Sequence, residues 1–204
     1  MKRSLLTPCT AIVAAAVMAL HLPAFAAETL NATDAKFLQQ AAQGSQFGIE
    51  ASELAADRAD DSGVKKYAKL TIEDNKRIDE TLKRLADKKT MKLPANPTSE
   101  QQGQIKTMSA LKGKDFDVAY LKHVGGSFQF EQLESYKRTA ERSIDVDVRG
   151  FARTVLTTVN AHYAMANTLA KDVAPETVYP SKDTATRRLS PRSSAALLPA
   201  RYRG

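Results

Sequence analysis

Apolar positions recur with the three-and-four spacing of an α-helix in four stretches, about residues 34–60, 63–89, 114–142 and 145–172. Each is close to thirty residues, so each helix would be about 40 Å long at the α-helical rise. No stretch alternates convincingly with period two, and runs of β-branched residues are scarce. Asp60-Asp61-Ser62-Gly63 separates the first pair and Ser143-Ile144-Asp145 the second. Connections this short force antiparallel neighbours, that is, two helical hairpins. Ser62 and Asp145 are the expected N-caps, their side-chain oxygens accepting from the open amides of the following turn.

The second and third long helices are joined by a segment in which Pro94 and Pro97 stop any helix from continuing. Ser99 to about Ala110 can form a short helix of its own. At about 3.3 Å per extended residue this segment can return along the whole bundle. The expected fold is therefore all-α: a ferritin-like four-helix bundle with one long crossover containing a short extra helix. An up-down-up-down bundle is the competing topology. The resemblance of "VKKYAK" (Val64 to Lys69) to "VRGFAR" (Val148 to Arg153), each opening the second helix of a pair, supports two hairpins, with convergent amphipathic patterning as the simpler reading of six residues.

The amino terminus breaks this pattern. Lys2 and Arg3 precede an apolar run to about Leu20, and Ala24-Phe25-Ala26 offers small residues for cleavage, so residues 1–26 read as a secretory signal peptide. The run is short for a membrane span. Cys9 lies inside it, without the small residues of a lipoprotein signal before it. The mature protein is then exported to the periplasm or beyond and has no cysteine, hence no disulfide, thiolate ligand or cysteine nucleophile.

Charge divides unevenly. The formal net charge is +7, but residues 27–180 carry equal numbers of basic and acidic side chains. The excess sits in the leader and in residues 181–204, a Ser-, Pro- and Ala-rich tail with six Lys/Arg and one Asp. A neutral body argues against a nucleic-acid partner. The tail is expected to be disordered; weak contact with anionic lipid or cell-wall polymer is one reading, a plain solvated tail the simpler one.

Candidate chemistry is sparse. The histidines are His21 in the leader, His123 and His162; neither of the latter follows a carboxylate three residues earlier, so the Glu-x-x-His pair of di-iron bundles is missing. No zinc-protease, phosphate-loop or calcium-loop motif occurs. His162 falls on the apolar stripe Val148, Ala152, Val155, Val159, His162, Ala166, Leu169 and should point inward. The bland reading is a core histidine bonded to a carbonyl or carboxylate. His123, near Phe116, Tyr120 and Ser127, is expected to be partly inward. Glu50 and Glu53 read as a solvated face, and Met91, Met108 and Met165 as core or loop filling. Gly125-Gly126, inside the third long helix, either kinks it or permits close packing. Asn75 stands on the inward stripe Val64, Ala68, Thr71, Asn75, Ile78, Leu82, Leu85, where a helix would ordinarily bury an apolar group.

From about Asp34 to Val173 the chain resembles the secreted bacterial proteins catalogued as domain of unknown function 4142. The matching pieces are "DAKFLQQAAQGS", "VKKYAKLTIEDN", Phe116, Asp117 and Tyr120 in a Phe-Asp-x-x-Tyr motif, and "FARTVLTTVNAH" in the last helix. The resemblance implies a ferritin-like bundle whose interior often presents a glutamate in the first helix and a histidine in each of the others, as if for a metal. Those positions fall on Gly48, Asn75, Phe128 and His162, so only one presumed ligand is present. Iron, manganese or zinc held in a protein cage needs about three or four N, O or S donors. The expected protein is therefore an exported, non-enzymatic bundle with a degenerated metal site, acting in envelope binding, structure or stress. The alternative is a periplasmic metal-binding or metal-dependent redox protein using His162 with His123 and carboxylates. The burial of Asn75 then reads as inherited from a polar site, and an Asn75–His162 polar contact, direct or through water and with no metal between, is expected inside the bundle.

Overall fold

The computed structural model describes residues 30–173; the leader and the basic tail lie outside the described residues. Six α-helices and one π-helical segment follow in order: α1 (Ala32–Arg58), α2 (Ser62–Lys88), α3 (Ser99–Ser109), α4 (Gly113–Tyr120), the π segment (Leu121–Phe128), α5 (Gln129–Arg142) and α6 (Val146–Val173). The described residues contain no strand.

Caps set the helix ends. The Asn31 side chain accepts from the Asp34 amide at 2.8 Å and opens α1. Asp61, rather than Ser62, caps α2: its carboxylate accepts from Gly63 N at 2.8 Å and Val64 N at 3.0 Å, while Ser62 is already the first helical residue. A carboxylate also complements the positive end of the helix dipole, which a hydroxyl does less well. Thr98 and Gln101 form a reciprocal capping box at the start of α3. Asp145 caps α6 as expected, accepting from Asp147 N at 2.9 Å and Val148 N at 3.1 Å.

Contacts at the helix ends fix the directions. The start of α1 meets the end of α5, where Ser143 Oγ donates to Asp34 at 2.9 Å. Its other end meets the crossover, with Arg58 Nη1 on the Ser109 carbonyl at 2.8 Å and Asp60 and Asp61 on Asp117. The end of α2 meets the start of α6 through Lys88, Lys89, Asp145 and Asp147. Thus α1 and α2 form one antiparallel hairpin, α4–α5 and α6 the other, and α2 runs parallel to α4–α5. The two hairpins are joined by the one crossover carrying α3, as the segment lengths predict.

Two apolar clusters make the core. One gathers Phe47, Tyr67, Phe116, Tyr120, Leu121 and Val124 toward the crossover end. The other gathers Phe37, Leu38, Leu82, Tyr136, Val148 and Phe151 toward the opposite end. Met108 is buried in the first and Met91 packs on the second, as gap-fillers; Met165 is exposed.

The third long helix departs from expectation. The single helix predicted over 114–142 is interrupted by the π segment, which contains Gly125 and Gly126. Two adjacent residues without side chains weaken the α-helical register and allow the wider turn. Of the two roles considered for this pair, Gly125 shows close packing: a Cβ there would lie 2.6 Å from the Ala166 Cβ of α6. Gly125→Ala should therefore lower stability by about 1 kcal/mol net, since overpacking outweighs the gain in helix propensity. Urea unfolding of the two proteins measures this directly; equal midpoints would show that α6 yields without cost.

Candidate functional site

Between the two apolar clusters lies a polar layer. Ser45, Thr71, Asn75, Gln129 and His162 are all buried there. A bundle centre rich in polar groups is costly unless each finds a partner, so the hydrogen bonds decide what the layer does.

His162 points inward as predicted and is 2 % exposed. Its Nε2 lies 2.7 Å from Asp74 Oδ2. Asp74 also carries an ion pair with Arg77 and faces a groove of about 400 Å³ between α2 and α6, beside Ile78, Leu85 and Phe151. The carboxylate partner of the histidine is thus the residue just before the asparagine that the sequence singled out.

Of the Asn75–His162 contact expected from the sequence, direct or through water, the direct bond is not made. Asn75 Nδ2 turns back along its own helix to the Thr71 carbonyl at 2.9 Å, while Ser45 Oγ donates to the Asn75 carbonyl at 2.9 Å. An i−4 carbonyl always lies within reach of a helical asparagine, which makes it the readier acceptor. The two side chains nevertheless line one cavity of about 10 Å³, together with Gly44, Gln129 and Val159. That volume is roughly one water's worth.

The other two presumed ligand positions hold no donor. Gly48 is covered by the Asn75 amide, whose Nδ2 would lie 2.8 Å from a Cβ added there. Phe128 packs edge-on against Phe47 with ring centroids 4.9 Å apart. His123 is not brought to His162. The π segment turns Val124 and Phe128 inward, and His123 is left half-buried on an outer groove shared by α1, α3 and α5. Burial, and secondarily the Lys122 charge, hold its imidazole below the usual histidine range. Glu50 is exposed, and Glu53 pairs with Lys76 at 3.7 Å with both side chains half in solvent. Among the described residues no group of three or more His, Cys, Asp or Glu side chains is placed to hold a metal ion.

Phe116, Asp117 and Tyr120 fasten one hairpin to the other. Phe116 and Tyr120 are fully buried with near-parallel rings, and Tyr120 Oη shares a 2.7 Å hydrogen bond with Ser52 Oγ. Asp117 accepts from the backbone amides of Asp60 and Asp61, at 3.1 and 2.8 Å, and so holds the α1–α2 turn. Burial pushes its carboxyl up, with the charges of Asp61 and Asp60 adding to that and the two amides opposing it. Tyr67 lies against Tyr120 and His162, each ring centroid 6.0 Å away, and its hydroxyl is buried without a hydrogen-bond partner. Burial raises both phenols far above their usual range, so both stay protonated.

Sequence reasoning missed a second charged cluster. Lys89 Nζ lies 2.5 Å from Asp145 and 3.0 Å from Asp147, with only 4 % of its side chain exposed. The signal was available in Asp145 as a cap and a lysine closing α2, but nothing local says that these two ends meet.

Fold and site together define an all-α bundle of two hairpins joined by one crossover, with a buried histidine–carboxylate pair and, among the described residues, no cluster of three or more metal-ligating side chains. The model of the family described as "Domain of unknown function (DUF4142)" matches residues 19–169, and the chain belongs to that family. The solved "putative secreted protein DUF305" from Streptomyces coelicolor has the same fold at a TM-score of 0.58 and 18 % identity, covering 69 % of this chain and 93 % of that one. No curated protein matches.

Proposed function

We propose that the chain is an exported, non-enzymatic bundle of ferritin-like type, working in the envelope as a binding or structural protein and retaining the remnant of a metal site. The observation that carries this reading is the pairing of His162 with Asp74, with no second imidazole or inward glutamate beside it. Gly48, Asn75 and Phe128 supply an amide at most, and that amide is already bonded to Thr71. Fewer than three donors do not hold iron, manganese or zinc in a protein cage. Export is supported by the leader-like residues 1–26.

One observation favours the alternative. A histidine whose ring is oriented by a carboxylate is the arrangement that metal-binding imidazoles commonly have. It would need two further donors, and His123, on the outer groove, does not provide one. The mature protein, purified without an affinity tag, should contain no stoichiometric transition metal by elemental analysis. Stoichiometric iron, manganese or zinc that disappears in His162→Ala would overturn the proposal.

A further inference from the structure

The groove that holds His123 is built differently from the bundle centre. It lies between α1, α3, the π segment and α5, and encloses about 530 Å³. That is within the usual size of small-molecule sites, about 300–1,000 Å³. Its walls are dominated by carboxamides. Gln43, Gln104 and Gln132 are half-buried, and among the described residues no protein group hydrogen-bonds their side chains. By contrast, Gln101 on the same rim is consumed by the α3 capping box. Phe130 presents a ring that is 44 % exposed at the edge of the groove, held against Tyr163 with centroids 5.9 Å apart.

Charge narrows the ligand class. Among the described residues, Glu100, Glu131 and Glu134 line the groove against one cation, Arg138, so phosphate, sulfate and carboxylate ligands are disfavoured. Among the described residues the carboxylates do not converge into a cation site. Each carboxamide both donates and accepts, and the His123 ring, held neutral by burial, does the same. A polyhydroxylated ligand is matched to such a surface, because every hydroxyl also donates and accepts. The exposed ring offers a flat apolar surface for the C–H face of a sugar. The π segment, a kind of interruption often found at functional sites, supplies His123, Ser127 and Phe128 to the wall.

We propose that this groove binds an uncharged saccharide, with Gln43, Gln104 and Gln132 as hydrogen-bonding groups and Phe130 as the stacking platform. The proposal deepens the binding role given above and rests on it only for the protein's meeting envelope glycans; the groove shares Phe128 and His123 with the metal readings, but Gln43, Gln104 and Phe130 belong to neither.

The test is a titration of the mature full-length protein, followed by ¹H–¹⁵N NMR, with tetra-N-acetylchitotetraose, cellotetraose and spermine in separate experiments. At least one tetrasaccharide should shift the side-chain amides of the three glutamines and the backbone of His123 and Ser127, while spermine should not. Gln43→Ala and Gln104→Ala should each weaken binding about fivefold, the worth of one neutral hydrogen bond. Phe130→Ala should weaken it at least as much, and Thr154→Ala, in the groove on the other side of the bundle, should leave it unchanged. Circular dichroism of each variant separates lost binding from lost fold. No saccharide shift at millimolar concentration, spermine in preference, or binding indifferent to all three groove substitutions would overturn the proposal. Failure here with a metal-free protein sinks the saccharide site alone, whereas a His162-dependent metal sinks the reading beneath it.

Discussion

Lys89→Met should cost about 3 kcal/mol of stability, measured by urea unfolding at neutral pH. The ammonium is almost wholly enclosed between Asp145 and Asp147, and it joins the end of α2 to the start of α6. Methionine keeps much of the volume but leaves Asp145, whose side chain is 9 % exposed, without its cation. Removing one partner of a buried ion pair costs about 3–5 kcal/mol, and the lower figure applies because Asp147 is partly solvated. Burial opposes both charges of the main pair, but the hydrogen bonds and charges they exchange hold Asp145 below its ordinary 3.8 and Lys89 above its ordinary 10.5. Asp147 is also held down, first by Lys88 and then by Lys89. The sign follows from linkage. The aspartate contribution is present above 3.8 and lost as pH falls through the depressed values, and the lysine contribution is lost as pH rises through the raised one. The gap between wild type and Lys89→Met should therefore narrow below pH 3.8. A gap that stays constant on acidification would mean that the loss is one of packing.

Asp117→Ala should cost about 2 kcal/mol, because it strands the two amides of the α1–α2 turn that the carboxylate accepts from, at about 1–3 kcal/mol for each buried orphan, less where water can reach. Asp117→Asn should cost less, since the amide oxygen still accepts. The native carboxyl is raised by burial, so the folded state favours its proton. Its contribution is fully present below 3.8 and is lost as pH rises through the raised value. Thermal melts from about pH 4 to about pH 7 should show that loss in the native protein and not in Asp117→Asn. Parallel curves for the two proteins would place the pH dependence elsewhere.

The long helices and their antiparallel pairing were legible because they depend on periodicity and on short connections; the parallel run of α2 with α4–α5 was permitted by the long crossover but not required by it. His162 was legible for the same reason: a stripe fixes which way a residue points. Its partner was not. Asp74 lies one step off the Asn75 stripe, and whether a side chain there can reach α6 depends on how two helices cross. The π segment was hidden because an interruption of this kind leaves the flanking pattern helical. It shows only as a change of face, from His123 to Val124 and from Ser127 to Phe128. The amide-lined groove depends on where α3 docks, which no local pattern encodes.

Gly48 and Asn75 share one volume in the bundle centre, and this couples what each position can hold. The asparagine amide lies where a Cβ at position 48 would need room, so a side chain there has to shift the end of Asn75. A side chain placed at 48 alone would press on the amide that bonds the Thr71 carbonyl, and a larger one at 75 alone would depend on 48 staying bare. The two positions therefore act as one unit, and the effects of substitutions at 48 and 75 should not add.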